Sequence, residues 1–188
     1  MGNGRDMEDY RAAVIAESME VEGWMSEEAL GWLYARAGEL RLGSVWVEVG
    51  VYAGRSFFTV LQGLDEGCYL VGVDDFSGVR GALSGSALSQ SFWSRAAKYP
   101  QRDFLFYPLR SVDAAGEFEN GAVDVVFIDG SHDYEEVRSD ILAWLPKLRR
   151  GGLLCGHDIS DKRVERAVSE ILPGWKKEPG DIWSSRCE

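Results

Sequence analysis

The spacing of apolar and polar positions divides the chain into a helical start and a longer alternating part. Met7 to Glu20 and Ser26 to Ala37 carry apolar residues at helical steps, and Ser26 followed by Glu27 and Glu28 reads as a helix N-cap. From Val45 the pattern changes to short β-rich runs that alternate with helical ones. Strands are expected at Val45 to Val49, Tyr69 to Val73, Phe104 to Tyr107, Val123 to Ile128 and Gly152 to Cys155. Helices are expected at Arg55 to Gln62, Ser91 to Lys98, Tyr134 to Leu148 and Arg163 to Leu172. The first, fourth and fifth strands are nearly unbroken apolar runs, as central parallel strands covered on both faces require. In the third of these helices Val137, Ile141, Leu142, Trp144, Leu145 and Leu148 form a stripe expected to pack on the sheet. Trp175 to Glu178 and Ile182 to Arg186 flank Pro179-Gly180-Asp181 and predict a terminal antiparallel hairpin. The stretch Asp75 to Gln90, rich in Gly and Ser, reads as a mobile loop.

The fold class expected is α/β, a Rossmann-like sheet of seven mostly parallel strands with a C-terminal antiparallel hairpin, flanked by helices. Length fits one domain over 1–188, with 1–44 as a helical cover and 45–188 as the core. A formal charge of −11 opposes binding to a phosphate backbone, so nucleic acid is not an expected partner. No apolar run is long enough to cross a bilayer, so no membrane partner is expected. Cys68, Cys155 and Cys187 are odd in number and lack CxxC spacing, which fits reduced thiols and a cytoplasmic protein.

Four motifs carry the candidate chemistry, all at strand ends. Val47 to Ser56 reads Val-Glu-Val-Gly-Val-Tyr-Ala-Gly-Arg-Ser: a buried strand stops at Gly50 and a helix starts near Gly54. Glycines there let the backbone turn tightly and approach a ligand. The third glycine of the dinucleotide fingerprint is missing, and Glu48 inside the strand suits a cofactor bearing ammonium and sulfonium better than a pyrophosphate. One unit later Asp74 ends the second strand, where an acid can accept from both ribose hydroxyls. Asp129 ends the fourth strand with His132 after it, and Gly-Gly-Leu-Leu-Cys-Gly-His-Asp brings His157 and Asp158 to the same edge. Asp129, His157 and Asp158 are candidate ligands for a divalent metal; carboxylates suit magnesium, and one histidine among them also suits manganese, iron or zinc.

With these motifs the chain resembles the class I S-adenosylmethionine-dependent methyltransferases. That resemblance implies that Gly50, Val51, Gly54 and Ser56 line the methionine half of S-adenosylmethionine, that Asp74 holds the ribose, and that Ser111 lies near the adenine. The last two motifs are similar to those of the small metal-dependent O-methyltransferases acting on macrolide sugars and related natural products. There the aspartate ending the fourth strand and an acidic pair after the fifth hold magnesium, and a histidine three residues past the first aspartate is the base. Asp129, His132 and Asp158 match, whereas His157 replaces the first acid of the pair. The resemblance spans roughly Trp24 to Leu172. It implies a small hydroxylated acceptor, divalent-metal assistance with Mg or Mn, and His132 as base. A nucleotide-dependent oxidoreductase and a catalytically inactive S-adenosylmethionine-binding protein are the competing classes. Aromatic residues at regular spacing are more often core than carbohydrate platform, and Trp93 is the tryptophan to watch. The N-terminal helices and the Trp-rich hairpin are expected to offer an apolar face for a homo-oligomer.

Overall fold

The computed structural model describes residues 4–77, 85–102 and 104–187. Helices α1 (Gly4–Met19) and α2 (Glu27–Ala37) precede strand β1 (Val45–Val49). The chain then runs through α3 (Arg55–Gly63), β2 (Tyr69–Val73), α4 (Gly85–Ala96), β3 (Phe104–Tyr107), α5 (Ser111–Ala115) and β4 (Val123–Ile128). It continues through α6 (Tyr134–Trp144), β5 (Leu148–Gly156), α7 (Lys162–Ile171), β6 (Lys176–Lys177) and β7 (Trp183–Arg186). Seven strands form one sheet in the order β3-β2-β1-β4-β5-β7-β6. The first five are parallel, and β7 runs antiparallel to both β5 and β6.

The apolar runs form strands because both faces of the sheet are covered. Val47, Val49, Val126, Ile128 and Leu154 pack under α6 and α7. Trp46, Val125, Phe127 and Cys155 face the opposite layer, with α2 and α3. Alternate residues of one strand thus enter different cores, and a continuous apolar run results. Fully burying a side chain such as Phe57 or Phe58 of α3 contributes about 1.5–3 kcal/mol. Polar caps start the helices: Ser26 accepts from Ala29 N at 3.2 Å, Asp133 from Glu135 N at 3.1 Å, and Asp161 from Arg163 N at 2.8 Å.

Three expectations need correction. Gly85 to Gln90 belong to α4, because Leu88 and Phe92 bury themselves and recruit the preceding turn into the helix; residues 78–84 lie outside the described residues. In α6, Leu142 points outward at 44 % exposure, while Val137, Ile141 and Trp144 form the stripe, and the helix yields to a 3₁₀ turn at Pro146. The hairpin does not present its tryptophans as an outer face, since Trp183 is fully buried against Gly156 and Trp175 packs on the core. The short helix α5, only five residues long, has too little periodicity to read from sequence.

The strand order reverses between β1 and β4, where loops leave in opposite directions and a crevice opens. Gly50 and Asp129 follow these two strands, and Asp129 N donates to Val49 O at 2.8 Å across the divide.

Candidate active site

At the reversal the backbone itself dictates residue type. Gly50 has φ +84°, and a Cβ there would lie 2.3 Å from the Asp129 carbonyl oxygen and 2.5 Å from Gly130 Cα. Only glycine lets the two loops cross so closely. Gly54, at φ +90°, starts α3 beneath the Phe58 ring, which a Cβ would meet at 2.5 Å.

Asp74 holds this turn together. Its Oδ2 accepts the Val51 and Tyr52 amides, each at 2.9 Å, and its Oδ1 accepts Phe76 N at 2.7 Å. Tyr52, a non-glycine residue at φ +50°, is kept in the left-handed region by that clamp. Burial pushes the Asp74 carboxyl above its usual range, and the three amides pull the other way. Oδ1, with a single amide on it, keeps room for a further donor.

Glu48 and Ser56 lie below the turn. Glu48 is fully buried and accepts the Ser56 hydroxyl at 2.7 Å, while its Oε2 has no hydrogen-bond partner among the described residues. Burial raises its carboxyl well above the usual range, and Glu48 is not among the residues lining the crevice. The expected acid facing a sulfonium is therefore not supplied by Glu48, because its position in β1 points it toward α3.

Across the reversal, His132, His157 and Asp158 meet. Asp158 Oδ2 receives His132 Nε2 at 2.8 Å and His157 Nδ1 at 3.2 Å, and His157 Nδ1 lies 3.6 Å from Asp129 Oδ1. Asp158 adopts φ +59° and is steadied by Asp161 N donating to its carbonyl at 2.9 Å. Burial pushes Asp129 up to about 7, against the pull of His157. Burial pulls His157 down, yet its bond to Asp158 and the flanking carboxylates bring it up to about 9. The hydrogen bond to Asp158 raises His132 as well. Asp158 is held well below the carboxylate range by the two histidines, although its burial opposes this.

The donor set fits a metal ion. One ligand atom each from Asp129, His157 and Asp158 lie within 4.8 Å of one another, a separation that bonds of about 2.0–2.2 Å nearly span before any closing of the side chains.

These groups line one cavity of about 1110 Å³. Single-ligand sites enclose roughly 300–1,000 Å³, so this one has room for two small molecules. Ser111 is on its wall, but its hydroxyl is engaged with Trp144 Nε1 at 3.0 Å and with Asp140. One wall element was not legible from sequence. Trp24, 70 % exposed, packs against Tyr52 with ring centroids 5.0 Å apart and the rings tilted by 45°. Its segment is pinned by Arg55, which donates to Val21 O at 2.8 Å and Met25 O at 2.9 Å. Trp93 instead packs beside Phe104 and Phe106, away from the cavity lining. The only available signal for Trp24 was an aromatic residue between two helices.

Solved structures share this fold. A Corynebacterium glutamicum protein of known crystal structure superposes with a TM-score of 0.69 at 19 % identity, covering 93 % of this chain and 89 % of its own. The O-methyltransferase NovP superposes with a TM-score of 0.65 at 16 % identity, covering 84 % and 78 %. Among curated proteins, the uncharacterized protein y4gI of Sinorhizobium fredii is 27 % identical over 123 residues, 60 % of this chain; the chain spans only 13 % of that protein's length. No helix among the described residues is long and apolar enough to cross a membrane. The family described as a methyltransferase domain matches residues 47–159, more than half of the chain, and covers the glycine turn, Asp74, Asp129, His132, His157 and Asp158. With that match added to the seven-stranded sheet and its crevice, the chain belongs to the methyltransferase-domain family, with the class I methyltransferase fold.

Proposed function

We propose that the chain transfers a methyl group from S-adenosylmethionine to a hydroxyl of a small acceptor, a sugar or related natural product, with His132 as the base. The observation that carries this reading is the His132–Asp158 pair opening into the same cavity as the glycine turn and Asp74. Asp158 accepts from His132 Nε2–H and so leaves Nδ1 as the basic nitrogen. A base with a pKa somewhat above the free imidazole value is matched to proton abstraction near neutrality.

Gly50, Val51 and Gly54 would bring backbone against the methionine half, and the free lone pair of Asp74 Oδ1 would take a ribose hydroxyl. Leu109 and Val112, exposed on the wall beside Ser111, would flank the adenine. Trp24 and its Arg55-pinned segment would close the acceptor side and exclude water. Transfer is a direct displacement, so holding the acceptor oxygen in line with the methyl–sulfur bond supplies much of the acceleration. Asp129, His157 and Asp158 would hold a divalent cation, whose chemistry there is Lewis-acid polarisation of the acceptor hydroxyl. NovP, named an O-methyltransferase, supports oxygen as the acceptor atom.

The test has two parts. Calorimetry with S-adenosylhomocysteine should show saturable binding, and a panel of hydroxylated sugars and phenols should yield S-adenosylhomocysteine on turnover. Absence of nucleoside binding would overturn the reading. Binding without turnover across the panel would leave only its cofactor half standing.

A further inference from the structure

The histidine that breaks the all-acid pattern is held by a turn late in the chain, which the antiparallel β7 brings back to the end of β5. His157 Nε2 lies 3.2 Å from the carbonyl oxygen of Gly180, in the turn between β6 and β7. A carbonyl only accepts, so Nε2 carries a proton and Nδ1 is the nitrogen turned toward Asp129 and Asp158, where an ion would displace the proton it shares with Asp158. Metal-binding histidines are characteristically fixed in this way, one nitrogen donating to a carbonyl and the other left for the ion.

The outer partner is itself immobilised. A Cβ on Gly180 would lie 2.3 Å from Ala29 N and 2.5 Å from Ala29 Cα, so the turn is seated directly on the first turn of α2. Asp181, next along, accepts Ser160 N at 3.1 Å and Ser160 Oγ at 2.6 Å, and Ile159 N donates to Asp181 O at 3.2 Å. The hairpin turn is thereby bound to the loop that carries His157 and Asp158, and the imidazole is oriented before any ion arrives.

We propose that this cluster is a nitrogen-bearing site that prefers a first-row divalent ion able to take an imidazole, Zn(II) and Co(II) ahead of Mn(II), over Mg(II). The inference rests on the metal-assisted reading above and deepens it. Magnesium favours an all-oxygen octahedron and parts reluctantly with its water. An oriented imidazole nitrogen beside two carboxylates gains far more from later first-row ions and zinc.

The experiment uses the full-length protein, stripped with a chelator and titrated separately with Mn(II), Co(II), Zn(II) and Mg(II) by calorimetry. Pulsed electron paramagnetic resonance on the Mn(II) form then reads ¹⁴N coupling. Transition ions should bind at least about tenfold tighter than Mg(II), in line with the weight of an oriented ligand and its outer partner. Nitrogen coupling should be present in the parent and in His132→Ala, and absent in His157→Asp, whose preference should move toward Mg(II). Near-UV circular dichroism checks that each variant is folded. Equal affinity for Mg(II), no nitrogen coupling in the parent, or no binding of any ion at millimolar concentration would each overturn the inference. None of these readouts needs nucleoside or turnover, so a protein that binds Mn(II) through nitrogen but ignores S-adenosylhomocysteine would refute the methyltransfer reading alone.

Discussion

Replacing Gly50 with alanine tests the geometry of the strand-order reversal directly. The new Cβ would lie 2.3 Å from the Asp129 carbonyl oxygen, and real contacts stay beyond 3.0 Å, so the loops must part by roughly 0.7 Å. Both contacting groups are backbone, so no side chain can swing aside. At φ +84° the alanine also carries a left-handed penalty of about 1–2 kcal/mol. Forcing extra volume into a packed site adds about 1–3 kcal/mol. The sum, about 2–5 kcal/mol, corresponds to a fall in melting temperature of roughly 4–20 °C for a protein of this size. Gly121→Ala supplies the control, since Gly121 has φ +75° but nothing within 4 Å of an added Cβ. It should show the left-handed penalty alone. Thermal unfolding of both variants, with calorimetric titration of S-adenosylhomocysteine, separates the two contributions. Gly50→Ala should also bind the nucleoside more weakly, because Asp129 and the turn move apart. If Gly50→Ala melts no lower than Gly121→Ala, the close crossing is wrong.

Three further outcomes are expected. Asp140, buried on the cavity wall, is pushed up to about 6 by burial against the pull of Ser111, above its ordinary 3.8. Its ionisation therefore costs more in the folded than in the unfolded chain, and stability from this group falls as pH rises from about 4 to 6. Asp140→Asn should be about 3 kcal/mol more stable than the parent at pH 7.5 and no different at pH 4, as read by urea unfolding; a constant difference across that range counts against the burial. His132→Ala should lower kcat by about 10²–10⁴-fold while leaving nucleoside affinity within about twofold. In the parent, kcat should rise with pH through a pKa above that of free imidazole, because the base acts when neutral; a flat profile excludes the role. Trp24→Ala should raise the acceptor KM about 2–10-fold with Trp24→Phe close to the parent, as expected for an aromatic contact of about 0.5–1.5 kcal/mol. Unchanged acceptor KM would remove Trp24 from the acceptor wall.

Local pattern was enough for most of the elements, though not for α5 or the start of α4, and for the edge on which the chemistry sits. Continuous apolar runs at Val45–Val49 and Val123–Ile128 specify strands covered on both faces, and short-range capping by Ser26 specifies where α2 starts. Residues that end such strands, Gly50, Asp74, Asp129, His157 and Asp158, reach the crevice because a parallel sheet gathers its carboxyl ends on one side. Direction and partnership depend on contacts between remote segments, and there the sequence was silent. Glu48 is read from the motif as a charge beside the turn, yet the pleat of β1 sends it into the core against Ser56. Asp74 spends three lone pairs on backbone amides before any ligand arrives, and Trp24 becomes cavity wall only because Arg55 reaches back to Val21 and Met25. The active nitrogen of His157 is chosen by the carbonyl of Gly180, whose approach depends on α2 at the other end of the chain. Sequence periodicity determined which residues arrive at the crevice, since burial of each element's apolar face is local to that element. Tertiary packing decided which atom each residue offers there, since hydrogen bonds and steric exclusion act only between groups the fold has already brought together.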